Sequence, residues 1–453
     1  MQSATTGVGV SKGLAAALAA VVAALSISGS GLGRGMEAAG APHAPSLRLC
    51  LERIHHVCLA PADVRAAYGV DALLRRGVTG KGRAIAIVVS FGSPTIQTDL
   101  RAFDAAFGLP DPQLQIVTPL GTRHPNNTGW AGETTLDVEW AHAIAPGARI
   151  VLLESPVDET EGTQGLPEFL SLERYAVQHH LADVISQSWD ATEDTLFDPA
   201  GRAVVARFHA FYADAARRGV TAVAASGDEG TTGPELSGSH TYPYPTVQYP
   251  ASDPYVLGIG GTRLAFDTQG RLTGEVAWAG SGGGLSKLFP EPAYQRGLPS
   301  ATQRLLGGRR GVPDVALDAA KESPVLVYQN GKWTLASGTS AAAPQWAGLI
   351  ALADDAAGHD LGLVTPALYR LAASPRYGSA LRDITSGSLD GPVRRRAGGP
   401  ALPRSAGPGW DIATGLGSPR ADGLVQALVG SRESGVGSRE SPVVGCTISS
   451  TDY

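Results

Sequence analysis

Ser340 lies in Ser337-Gly338-Thr339-Ser340-Ala341-Ala342-Ala343-Pro344, a turn of small residues that opens an Ala-rich run. A hydroxyl placed there sits at a helix N-terminus, where backbone N–H groups and the helix dipole favour negative charge beside it. Acyl transfer needs that stabilisation, so Ser340 reads as a nucleophile; the plainer reading is a Ser/Thr helix cap. A nucleophilic serine needs a base, usually histidine. None of the ten histidines is followed by glycine, and Ala342 stands where a G-x-S-x-G elbow would have its second glycine. The base must be a residue of another kind.

Glu133 and Asp137 offer one, in Gly132-Glu133-Thr134-Thr135-Leu136-Asp137-Val138-Glu139-Trp140. Four apart on a helix, the two carboxyls share a face one turn apart. Their repulsion keeps a proton on one of them to higher pH than usual. A solvated acidic face is the commoner meaning of such a pair. Leu136, Val138, Trp140, Ala141, Ala143 and Ile144 make this helix largely apolar, however, which favours carboxyls that are placed there for a purpose.

Asp228 follows an apolar run in Ala224-Ala225-Ser226-Gly227-Asp228-Glu229-Gly230. A carboxyl just past a strand's carboxyl end points into the site region of an α/β fold. Kept protonated by an apolar setting, it can donate a hydrogen bond to an oxyanion; otherwise it is a turn aspartate bonding its own backbone. Arg382-Asp383-Ile384 and Gly407-Pro408-Gly409-Trp410-Asp411 set two further aspartates in Gly-rich backbone. Carboxylate and carbonyl oxygens so arranged suit a hard cation, Ca²⁺ above all, in preference to a pair of Asx turns.

Positioning these groups requires a scaffold, and the alternation of apolar runs with helix-like stretches predicts an α/β fold: a mostly parallel central sheet with helices on both faces. The expected strands are 84–89, 149–153, 184–187, 221–225 and 255–259; the expected helices are 95–107, 133–144, 168–179, 204–218 and 341–357. With 43% apolar residues among 453, the chain builds a sizeable core. A net charge of −6 and no basic cluster beyond Arg394-Arg395-Arg396 argue against nucleic acid as a partner. The run Gly13 to Ser28 has signal-peptide length and is short for a membrane span, so residues 1–40 read as a signal peptide and the start of a linker, 41–58 as linker, 59–430 as a single catalytic domain and 431–453 as a disordered tail. Cys50 and Cys58 could close a small loop with Cys446 left over, or all three could be thiols.

Gly338-Thr339-Ser340, the Glu133/Asp137 helix, Ser226-Gly227-Asp228 and Gly407-Pro408-Gly409-Trp410-Asp411 occur in the order found in the sedolisin, or serine-carboxyl, peptidases, and from about Leu59 to Leu428 the chain resembles that family. The resemblance implies a subtilisin-like fold with Ser340 as nucleophile, Glu133 as base, Asp137 tuning Glu133, Asp228 holding the oxyanion and Trp189 near the substrate channel. It implies one Ca²⁺ held by side chains of Asp383 and Asp411 and carbonyls of Ile384, Gly407 and Gly409. The expected protein is a secreted, monomeric, calcium-stabilised endopeptidase working on proteins or peptides in acid. The alternatives are a tripeptidyl-peptidase and a silent binding protein of the same fold; the latter should have lost one of the four catalytic residues, and all four are present. The family usually carries a long pro-domain, for which the residues before Leu59 leave no room, so the expectation is a chain that folds unaided, one assisted by a separate chain, or a truncated product that folds badly. An Arg/Pro/Gly-rich insert, 391–405, is expected to loosen the calcium loop.

Overall fold

Eight segments pair into one sheet: Ala84–Ser90 (β1), Gln113–Val117 (β2), Arg149–Ser155 (β3), Val184–Gln187 (β4), Thr221–Ala225 (β5), Val256–Phe266 (β6), Leu272–Ala277 (β7) and Val315–Asp318 (β8). The order is β8-β6-β5-β4-β1-β3-β2, with β7 antiparallel on β6 and the other pairings parallel. The computed structural model describes residues 43–433 except His124, Asn126 and 395–400. The run 13–28 read as a signal peptide, Cys446 and the residues beyond Glu433 lie outside the described residues.

The strand β1, Ala-Ile-Ala-Ile-Val-Val-Ser, is buried along its whole length, as a parallel strand covered on both faces must be. Helices Thr128–Ile144 and Thr339–Ala357 pack on each other and on β1; helices Leu166–Gln178 and Pro199–Arg217 pack on each other and against β3 and β5. The expected α/β architecture, with helices on both faces of a mostly parallel sheet, is therefore the observed one.

Four local expectations change. Residues 47–54, inside the stretch read as linker, form a helix whose N-cap Ser46 accepts the Leu49 N–H (3.2 Å) and which the Cys50–Cys58 disulfide ties down. Leu47, Cys50, Leu51 and Ile54 make an i, i+3, i+4, i+7 stripe that packs on the core, a periodicity hidden by the Gly/Ala/Pro composition around it. Strand β6 runs through Gly260-Gly261 to Phe266, where the sequence suggested an end at Ile259. A Cβ on Gly260 would stand 2.6 Å from Pro313 Cγ, and one on Gly261 2.5 Å from Trp278 Cε3, so these glycines admit close neighbours within a strand held on both edges. The edge strand β2 escaped notice because it is short and none of its residues is buried, with Gln113 and Gln115 interrupting its apolar run. The last helix, Ala421–Glu433, also continues past the expected boundary at 430.

Candidate active site

The helix Thr339–Ala357 begins directly after Gly338, whose φ of 102° belongs to the glycine-favouring region. A Cβ at Gly338 would overlap the Asp228 carboxyl, so this residue brings the Asp228 loop against the helix start. No side chain of the turn itself caps the helix. Instead Asp228 Oδ1, from the loop after β5, accepts the Thr339 N–H (2.8 Å) and the Thr339 hydroxyl (2.9 Å). A distant carboxyl thus caps the helix from outside and leaves its second oxygen beside Gly338, at the cleft. Burial raises Asp228 above the usual carboxyl range against the lowering effect of the Thr339 bonds.

Ser340 follows in the first helical turn, nearly buried, with its edge on the cleft. Pro344 lies inside the helix and has no N–H for the carbonyl four residues back, which is that of Ser340. The Ser188 hydroxyl lies 3.3 Å from this carbonyl and donates to Asp137 Oδ1 at 2.7 Å. Ser188 therefore joins the serine helix to the carboxyl pair, a role not assigned from sequence.

The pair sits on the helix Thr128–Ile144, started by Asn127, whose side chain accepts the Gly129 and Trp130 N–H groups (3.1 Å each). From Glu133 to Ile144 every residue is buried, so this is no solvated face. The Glu133 carboxyl faces the Ser340 hydroxyl and the Asp137 carboxyl. Burial first, and the Asp137 charge second, hold Glu133 well above its ordinary pKa; burial likewise raises Asp137, against the Ser188 bond. One oxygen of each carboxyl has no donor among the described residues, and a single proton held between the two satisfies both. The pair then titrates as a unit, and its singly protonated form is an anion beside the serine hydroxyl.

Ser337, Thr339, Ser340 and Asp228 line a cleft of about 1080 Å³ at the carboxyl ends of the strands. Trp189, expected at the channel, does not line it. Its ring is fully buried between Phe169 (5.1 Å) and Phe208 (5.8 Å), and its neighbour Asp190 reaches the cleft instead. A residue just past a strand turns one side chain to the core and the next to the site, an alternation that the sequence leaves without a phase. Glu159, Glu161 and Glu229 also line the cleft and were missed, although each follows a strand end.

Asp383 and Asp411 come together on one loop. Both Asp383 oxygens accept the Gly409 N–H (3.1 and 3.0 Å), and Asp411 Oδ2 accepts the Gly407 N–H (2.8 Å). Among the described residues neither carboxylate is ion-paired, and the carbonyls of Ile384, Gly407 and Gly409 accept no main-chain bond. Oxygen donors without a counter-charge fit a hard cation. No three His, Cys, Asp or Glu side chains among the described residues cluster as a metal site, so a cation here would rest on the two carboxylates and main-chain oxygens. The described ends of the 391–405 insert are tied down: the Leu402 N–H donates to the Val393 carbonyl (3.0 Å), and the Arg404 carbonyl accepts the N–H of Leu389, just before the insert (3.0 Å).

Residues 124–371 match the model of the subtilase family. The chain belongs to that family. Its place among the sedolisins rests on two further findings. It is 36% identical over 384 residues to kumamolisin of Bacillus sp. (strain MN-32), covering 82% of this chain and 63% of that protein. The fold superposes on Pseudomonas sedolisin, a serine-carboxyl proteinase solved with two molecules of pseudo-iodotyrostatin, with a TM-score of 0.68 and 27% identity over 84% of this chain and 100% of that one. Human tripeptidyl-peptidase 1 is 28% identical over 391 residues, 83% of this chain and 65% of its own length. The chain thus spans less than two thirds of the length of these two curated relatives. It is a sedolisin, with Ser340 and Asp228 on the cleft and the buried Glu133/Asp137 pair behind the serine.

Proposed function

We propose that this sedolisin is an exported endopeptidase that hydrolyses peptide bonds in acid. Ser340 Oγ attacks the scissile carbonyl while Glu133 takes its proton, and the charge is spread into the Glu133/Asp137 pair. The protonated Asp228 donates to the oxyanion of the tetrahedral intermediate from the oxygen that Thr339 leaves free. Glu133 then returns the proton to the leaving amine, and water repeats the sequence on the acyl-enzyme. The observation that carries this reading is the Glu133 carboxyl facing both the Ser340 hydroxyl and Asp137, with Asp228 at the start of the same helix.

Two requirements bound the working range. The pair must have lost one proton and Asp228 must still have its own, and burial raises Asp228. A Ca²⁺ held by Asp383, Asp411 and the Ile384, Gly407 and Gly409 carbonyls would supply only charge neutralisation to the loop. The apolar run 13–28 and the Cys50–Cys58 disulfide support export to an oxidising compartment.

The test is hydrolysis of casein or a quenched peptide by the chain and by Ser340→Ala between about pH 3 and pH 7. Loss of activity in the variant is expected; equal activity in both sinks the assignment. The similarity to tripeptidyl-peptidase 1 favours a second reading, in which three residues are released from a free amino terminus. An N-terminally acetylated peptide separates the two: the endopeptidase cuts it, the exopeptidase leaves it whole.

A further inference from the structure

The loops after β3, β4 and β5 carry Glu159, Glu161, Asp190 and Glu229 to the same cleft as Asp228. Two of them are fixed in place. Glu161 accepts the Thr192 N–H (2.9 Å) and the Thr192 hydroxyl (3.2 Å), and Glu229 Oε2 accepts the Asp228 N–H (3.1 Å). Glu159 differs. It is 3% exposed, and neither of its carboxyl oxygens has a hydrogen-bond partner among the described residues, yet it lines the cleft. A buried carboxyl with both oxygens unsatisfied is costly unless something that enters the cleft supplies donors.

The charges acting on this group are of one sign. Asp190 feels Glu229, Glu161, Glu159 and Asp228; Glu159 feels Glu161 and Asp158; Glu161 feels Glu229. The cations on the cleft, Arg263 and Lys321, form no ion pair with these carboxyls among the described residues. Four carboxyls from three loops, one of them wholly unsatisfied among the described residues, outnumber the two cations on the cleft and form a receptor for positive charge. The guanidinium fits it best, since its planar fork of five donors can serve several carboxylate oxygens at once. Glu229 adjoins the Asp228 oxyanion carboxyl in sequence and bonds its N–H, so the bound group would lie near the scissile bond.

We propose that Glu159, Glu161, Asp190 and Glu229 form a subsite for a basic side chain of the peptide substrate, arginine above lysine. The inference rests on the peptidase reading and gives these residues a specificity role beside it. Entry of the cation satisfies Glu159 and replaces repulsion among the four carboxyls by attraction to a common charge.

The test uses the full chain and acetylated quenched peptides, identical except that arginine or its neutral near-isostere citrulline is stepped through the positions flanking the cut. At one position, arginine should raise kcat/KM about tenfold or more over citrulline, mainly through KM. Glu159→Gln and Asp190→Asn should each reduce that ratio, and Glu52→Gln, on the exposed first helix, should leave it unchanged. Equal cleavage of arginine and citrulline peptides at every position overturns the subsite and leaves the peptidase reading intact. If no peptide is cut, the peptidase reading fails, and fluorescence anisotropy of the same peptides on Ser340→Ala then decides the subsite: tighter binding of the arginine peptide upholds it, equal binding overturns it. Unblocked versions of the peptides complete the test: cleavage that improves with the free amino terminus and is indifferent to arginine assigns the terminal ammonium to the carboxyls and overturns the side-chain assignment.

Discussion

Replacing Asp228 with asparagine isolates the one proposed role that a carboxyl fills only while protonated. Its Oδ1 is committed to two donors, the Thr339 N–H at 2.8 Å and hydroxyl at 2.9 Å, so only the second oxygen is free to carry a proton to an oxyanion. In Asp228→Asn the amide oxygen keeps both Thr339 bonds, and the NH₂ group stands where the O–H stood and donates at every pH. In Asp228→Ala the donor is gone, which costs about 10²- to 10³-fold in kcat, or ~3–4 kcal/mol of barrier. The outside cap on the Thr339–Ala357 helix goes with it, at about 1 kcal/mol of stability.

The sign of the pH effect follows from the folded state. Burial raises Asp228, so its proton is present in acid and is lost as pH climbs through that raised value; wild-type kcat/KM should then fall about tenfold per pH unit. The asparagine variant should keep a substantial part of the activity in acid and show this alkaline fall displaced to higher pH. Steady-state rates on a quenched peptide from about pH 3 to pH 8, with melting curves for both variants, make the comparison. An asparagine profile with the wild-type alkaline limb, or an alanine variant with wild-type kcat, would refute the oxyanion role.

Ser188→Ala removes the donor to Asp137 Oδ1, an interaction that lowers the proton affinity of the pair. The acid limb of the pH–rate profile should therefore move to higher pH, by up to about one unit, and an unmoved limb would separate Ser188 from the chemistry. Stability should be greatest in acid. Burial raises Glu139, Glu173 and Asp318 well above their ordinary values and Asp104 and Asp354 to about 8. Carboxyls raised in the folded chain contribute stability that is complete below their unfolded values and is lost as pH rises through the folded ones. The melting temperature should thus fall between about pH 5 and pH 8, and Asp354→Asn should flatten the fall; a steady rise over that range would contradict the sign. Chelation near neutral pH should lower the melting temperature by several degrees, and Asp383→Ala should abolish the response. No change on chelation removes calcium from the loop.

The sequence by itself determined the parallel sheet, because strands buried on both faces must be nearly continuous apolar runs, and Ala84 to Val89 or Thr221 to Ala225 leave no other reading. It also determined which serine and which carboxyls to consider, since the absence of a His-Gly pair and a carboxyl pair in an apolar helix exclude the commoner base. Local pattern carries such information because helix periodicity and strand ends set neighbours within a few residues. What it did not contain were relations between segments far apart in the chain. The cap on the Ser340 helix comes from Asp228, 111 residues from its partner Thr339, and the tie between Asp137 and the Ser340 carbonyl comes from Ser188. Trp189 went to the core and Asp190 to the cleft, and Glu159 reached the cleft without a partner, because phase and satisfaction at a strand end depend on what packs across the sheet. Chemistry of this kind is legible one residue at a time, while proton affinity and charge selectivity arise only when burial and distant neighbours are brought together.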